Sequence, residues 1–128
     1  STYAVRLERK HEKIQWERSS DQLRNQIRAF HPWPGAFAIW KDKEVKILAA
    51  HKVEPEERAG FVQALKEEKP ELDIVPGLVL GIYRKKGPLV ETGEGALLLT
   101  QIQPVGKQPM DGASFVNGYR VSPGDMFQ

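Results

Sequence analysis

A mainly β domain with short helices, its strands folded into a small barrel or sandwich, is the fold class this sequence predicts. Three observations carry that expectation. Short apolar runs recur along the second half of the chain, each ended by Gly, Pro or a charged cluster. The apolar spacing of an amphipathic helix is clear in one place, "SSDQLRNQIRAF". The strand candidates follow one another too closely for the long crossover helices of a parallel α/β sheet. At 128 residues the chain fits one domain that can bury an ordinary core.

Taken in order, residues 1–13 are charged and weakly patterned and read as an approach segment or linker, leaving 14–128 as the domain. "IQW" (14–16) reads as a short extended piece. The helix follows: Ser19 or Ser20 can cap it, and Leu23, Ile27 and Phe30 form its apolar stripe. Pro32 stops it, because a residue before proline is pushed out of the helical region. The corner Pro32-Trp33-Pro34-Gly35 is then a stiff exit, with Pro34-Gly35 suited to the centre of a type II turn and Trp33 a packed wedge. "AFAIW" (36–40) and "VKILAAHKV" (45–53) read as strands joined by a "KDKE" hairpin. "GLVLGIY" (77–83), "PLVETG" (88–93) and "GALLLTQIQ" (95–103) are further strands, the last two linked by a tight turn. Between the two groups, 54–74 is acidic; Pro55 opens a helix there, with Phe61, Leu65 and Val62 as a narrow apolar face on a surface insertion. "MDGASFVNG" predicts one or two helical turns, capped by Asp111 and ended by Gly118.

Composition excludes several functions. With 40% hydrophobic residues, wholesale disorder is ruled out. The absence of cysteine removes disulfides, thiolate metal sites and a Cys nucleophile, and fits an intracellular protein. The apolar runs are too short and broken to span a membrane, and the charged N-terminus lacks a signal-peptide core. His11, His31 and His51 have no metal-ligand spacing, and no phosphate loop, nucleophile elbow or HExxH occurs. Glu91 and Glu94 suit a turn better than an acid/base pair.

Charge is uneven. Residues 1–52 hold 11 Lys+Arg against 6 Asp+Glu, whereas 53–75 hold 3 against 7. A basic surface with one acidic segment suits a polyanion such as nucleic acid, or is an ordinary solvated surface. Arg24 and Arg28 share one helix edge, Arg84, Lys85 and Lys86 sit at a strand end, and Lys107 sits in a loop after the last strand. Arg9, Lys10 and Lys13 add charge on the approach segment. Groups of this kind hold phosphates without reading sequence.

The segments "STYAVRLERKHEKIQW", "IRAFHPWPGAF", "GEGALLLTQIQPVGKQPM" and "NGYRVSPGDMF" together resemble, in order and spacing, the C-terminal domain of methionyl-tRNA formyltransferase. The resemblance spares only the acidic insertion. His31, Gln15 and Gln108 depart from the family's usual Asn, Asp and Lys. The resemblance implies an OB-fold-like β-barrel that lends tRNA-backbone contacts to a separate N-terminal catalytic domain. That domain would move a formyl group from 10-formyltetrahydrofolate to the methionine of initiator methionyl-tRNA. No catalytic residue and no cofactor or metal site is then expected in this chain, which would be inactive alone. A monomer in the cytoplasm, or in an organelle of a eukaryote, is implied with it. Two other readings stay open: a structural or interdomain module of a sugar-nucleotide or folate-dependent formyltransferase, and a single-strand binder using Phe37, Trp40 and Tyr83 as stacking aromatics.

Overall fold

The computed structural model describes residues 13–30 and 35–128. Six strands build one antiparallel sheet: β1 (Ala36–Trp40), β2 (Lys43–Lys52), β3 (Val79–Tyr83), β4 (Gly87–Glu91), β5 (Ala96–Pro104) and β6 (Met110–Asp111). Their order is β1-β2-β5-β4-β3, with β6 pairing β5. Three helices accompany them among the described residues: α1 (Ser20–Phe30), α2 (Pro55–Glu68) and α3 (Gly112–Tyr119). The chain is mainly β with short helices, as its pattern predicts.

Local chemistry explains most boundaries. Ser19 caps α1: the Gln22 backbone N–H donates to Ser19 Oγ at 3.2 Å while the Ser19 N–H donates to Gln22 Oε1 at 3.1 Å. This reciprocal box satisfies two donors that a helix start would leave unpaired. Leu23 and Ile27 face the core and are buried. His31, Pro32, Trp33 and Pro34 lie outside the described residues. Gly35 has φ +92°, the value the third residue of a type II turn needs and a side chain resists. The β1–β2 hairpin turns on Lys41 and Asp42, at φ 46° and 68°, the paired left-handed conformation that matches strand twist. β2 is bulged against β5, with its register shifting between Ile47 and Ala50.

The sheet is covered on both faces. The inner core packs α1 and α3 against the strands, with Leu23, Ile27, Trp40, Phe115 and Phe127 all essentially sealed from water. Trp40 and Phe127 meet at a centroid distance of 4.8 Å. On the outer face, Leu65 of α2 joins Leu78, Leu80, Leu89, Ala96 and Leu98, with Phe61 and Val62 packed alongside. The acidic segment is helical from Pro55, as its sequence predicts, yet it is more than a surface insertion because it roofs this second core. Gly81 lets it sit close: a Cβ there would collide with the Phe61 ring. An ion pair fixes it laterally. Arg58 Nε donates to Glu91 Oε1 at 2.8 Å and Nη2 donates to Glu91 Oε2, so the buried carboxylate of β4 is matched in a forked geometry. Both hydrogen bonding to Glu91 and its charge hold the Arg58 guanidinium pKa above its usual value, outweighing burial.

Two features lie beyond local reading. Asp111 caps α3, its Oδ1 accepting from the Ser114 N–H at 2.7 Å, but Gly118 does not end the helix. The helix runs on to Tyr119 and the left-handed position falls on Arg120, φ 53° and ψ 48°. Burial of Val121 in the inner core sets that stop, and the Val121 N–H donates back to the Val116 carbonyl at 3.1 Å. Nor do β1 and β3 pair with each other, so no strand ladder closes the sheet. The C-terminal segment covers both edges instead. Ile39 and Gln128 exchange backbone hydrogen bonds at 2.8 and 2.9 Å, while Val79 N–H donates to the Asp125 carbonyl at 2.7 Å and Phe127 N–H to that of Gly77 at 2.8 Å. Edges that would template aggregation are thereby satisfied.

Candidate nucleic-acid interface

The basic residues fall into separate places. Arg9 and Lys10 lie outside the described residues, as do Pro32, Trp33 and Pro34. Lys13 is exposed, and its carbonyl accepts from Gln26 Nε2 of α1 at 3.3 Å. Arg24 is half-buried and Arg28 exposed, one and two turns beyond Asp21 on α1. Arg84, Lys85 and Lys86 form the exposed β3–β4 turn, closed by the Lys86 N–H donating to the Tyr83 carbonyl at 2.9 Å. Lys107 is exposed in the β5–β6 loop; its own carbonyl accepts from Gln103 Nε2 at 3.0 Å, which braces the loop.

Strand pairing assembles a cleft around the β3–β4 turn. His51 of β2 lies opposite Leu98 of β5, and Lys52 opposite Leu97. On the other side of β5, Leu89 of β4 pairs with Leu98, which brings the β3–β4 turn alongside. The result is a cleft of about 520 Å³ whose walls include His51, Lys52, Tyr83, Lys85, Lys86 and Thr100. Glu57 and Asp111 also face it, but both are engaged. Glu57 accepts from the Tyr83 hydroxyl at 2.7 Å, which raises the Tyr83 pKa above that of an ordinary phenol. Asp111 caps α3, and the hydrogen bond from Ser114 holds its carboxyl below the usual range. Lys52 reaches Asp21 at 2.6 Å, tying the start of α1 to the end of β2. The Lys86 ammonium lies 5.2 Å from the Tyr83 ring centre, so that side chain is held over an aromatic face.

A second basic edge forms where the β1–β2 hairpin meets the β5–β6 loop. The Val105 N–H donates to the Glu44 carbonyl at 3.1 Å, placing Lys107's loop next to Lys43. Lys41 and Lys43 each stand over an aromatic ring, Trp40 at 5.1 Å and Tyr119 at 5.8 Å. Lys41, Lys43 and Lys52 do not stand out in the sequence, and His51 has no metal-ligand spacing there. The alternation of β2 gave a signal for the strand but none for its neighbours across the sheet. Phe37 and Trp40 are buried and Tyr83 half-buried, so the first two are core residues and offer no stacking surface. Among the described residues no group of three or more His, Asp or Glu is placed to hold a metal ion. Glu91 is committed to Arg58. No helix among them is long and apolar enough to cross a membrane.

Chemically, the cleft presents imidazole and ammonium donors at a protein surface. Such donors can hold phosphate oxygens by charge and hydrogen bonds without base preference, beside the Glu57 and Asp111 carboxylates on the same walls.

Comparison with known proteins gives a consistent answer. The family model described as "Formyl transferase, C-terminal domain" matches residues 6–120. A methionyl-tRNA formyltransferase of Symbiobacterium thermophilum is 41% identical over 126 residues, covering 98% of this chain and 34% of that protein. One from Bacillus subtilis is 37% identical over 127 residues, covering 98% and 35%. This chain thus spans about a third of the length of these relatives. Among solved structures, HypX from Aquifex aeolicus superposes with a TM-score of 0.62 at 20% identity, over 89% of this chain and 18% of that one. HypX in complex with tetrahydrofolic acid gives 0.61 at 21% identity, over 84% and 17%. At that identity the likeness is one of fold.

Proposed function

Because the chain belongs to the formyl transferase C-terminal domain family, we propose that it is the tRNA-contacting C-terminal domain of a methionyl-tRNA formyltransferase. The whole enzyme would pass a formyl group from 10-formyltetrahydrofolate to the methionine of initiator methionyl-tRNA, its catalytic groups lying in the preceding domain. The present chain alone would be inactive and would act where translation starts, in the cytoplasm or an organelle. The observation that carries the binding role is the cleft in which the sheet register gathers His51 and Lys52 with Lys85 and Lys86.

These groups hold the tRNA backbone. Arg24 and Arg28 on α1 and Lys107 with Lys41 and Lys43 extend the contact, and Lys13, Arg9 and Lys10 meet the tRNA where the chain arrives from its catalytic neighbour. Tethering makes the second contact intramolecular, so weak intrinsic affinity is enough to orient the acceptor end. Binding of initiator tRNA to the chain, followed by fluorescence anisotropy across a salt series, tests this. The log–log slope is steep, and it flattens by roughly 0.7–0.9 for each phosphate contact removed by Lys85→Ala or Lys86→Ala. Salt-independent binding, or slopes unchanged in Lys85→Ala, Lys86→Ala and Lys107→Ala, would refute the assignment.

A further inference from the structure

A second cavity among the described residues lies apart from the basic cleft and shares no lining residue with it. It is an open groove of about 770 Å³, walled by Ile14, Trp16, Phe37, Pro76, Met126 and Phe127. We propose that this groove seats the domain that precedes the present one in its relatives, through an apolar side chain. The inference rests on the reading above, that the chain is the C-terminal part of a longer enzyme.

Three observations support that occupant. The relatives are about three times as long, and the matching family is a C-terminal domain, so the remaining polypeptide is placed ahead of residue 6. Lys13, the described residue nearest in the chain to that polypeptide, itself lines the groove. The rim is apolar where a solvated surface would be polar: Met126 is 40% exposed, and Val75, beside Pro76, is exposed to the same degree. Exposed Lys13 and Glu17 flank it, giving the apolar centre and charged margin of a protein interface.

The groove and the cleft thus divide the work, one held by the neighbouring domain and the other left open to tRNA. The test uses the full-length polypeptide that carries residues 1–128, with a protease site introduced within residues 1–12. After cleavage the two wild-type halves stay together on gel filtration. Met126→Asp places a charge in the groove and weakens their association by about tenfold or more. Glu17→Lys, at an exposed rim position that does not bear on the core, weakens it several-fold. In the wild type the Trp16 indole N–H resonance shifts between the isolated chain and the cleaved complex. Met126→Asp leaves in place every basic group assigned to the tRNA and keeps the salt slope of its binding, so loss of that slope would speak against the tRNA reading and leave this one standing. Halves that separate in the wild type, or stay together equally in both variants, overturn the proposal. So does a reading frame with no domain before Ser1, or self-association of the 128-residue chain through Met126.

Discussion

Replacing Arg58 by methionine isolates the contact that pins α2 to the sheet. The Glu91 side chain is only 10% exposed and the Arg58 side chain 32%, so the variant strands a carboxylate that water barely reaches. Removing one partner of a fully buried pair costs about 3–5 kcal/mol. Here a third of the arginine side chain is in water, and solvent can enter the gap it leaves, which lowers the expected cost to about 2–3 kcal/mol. With a urea m-value of about 1.5 kcal/mol/M for a domain of this size, the unfolding midpoint falls by about 1–2 M. Arg58→Met/Glu91→Leu removes both charges in a region already lined by Leu78, Leu89 and Leu65, and its stability returns to within about 1 kcal/mol of the parent. Urea unfolding at neutral pH, followed by tryptophan fluorescence and by circular dichroism, yields the double-mutant cycle directly. A coupling energy of about 1–2 kcal/mol is expected, with m unchanged. A cost below about 0.5 kcal/mol for Arg58→Met, or a double variant as unstable as the sum of the singles, would refute the argument that Glu91 depends on this partner.

Other outcomes follow from the same geometry. Gly81→Ala destabilises by about 1–3 kcal/mol through its collision with Phe61, and Phe61→Leu in the same chain recovers most of the loss in thermal unfolding. Lys41→Asn with Asp42→Gly stabilises the hairpin by about 1 kcal/mol, since both positions are left-handed; urea titration reads it. The Asp111 carboxyl titrates below its unfolded value of 3.8, so its contribution is complete above that pH and lost as pH falls through the folded value. The protection of the Ser114 amide against exchange should therefore fall below about pH 4, and Asp111→Ala should abolish that loss of protection. For Tyr83 the sign is opposite. Its raised pKa favours the neutral phenol in the folded state, so the Glu57 bond contributes below pH 10 and is lost as pH rises through the folded value. In Glu57→Gln the phenol titrates at lower pH, as ultraviolet absorbance would show.

Local chemistry in the chain was enough to locate the elements, because their signals are written within a few residues of one another. Ser19 and Gln22 box the first helix, Pro55 opens the second, and Asp111 caps the third. Alternating apolar residues announce the strands, and the hairpin at Lys41-Asp42 is marked by its polar tip. The family motifs were legible too, since short fixed spacings survive without knowledge of contacts. Arg24, Arg28, Lys85, Lys86 and Lys107 were visible as charges on accessible elements for the same reason.

What adjacency in the chain could not show is what adjacency in the sheet created. Arg58 and Glu91 are far apart in sequence and pair only because α2 folds back over β4. His51 joins Lys85 and Lys86 only through the register of β2 on β5 and of β4 on β5. The stop of α3 moved from Gly118 to Arg120 because burying Val121 outweighed a glycine's local preference. The terminal residues close the sheet's two edges by backbone hydrogen bonds that carry no side-chain signature. Local pattern therefore determined which segments are helix or strand, and the quoted motifs carried the family resemblance. Long-range burial and strand pairing decided where the cleft, the groove and the second core lie, because those energies depend on contacts between residues that the chain itself keeps apart.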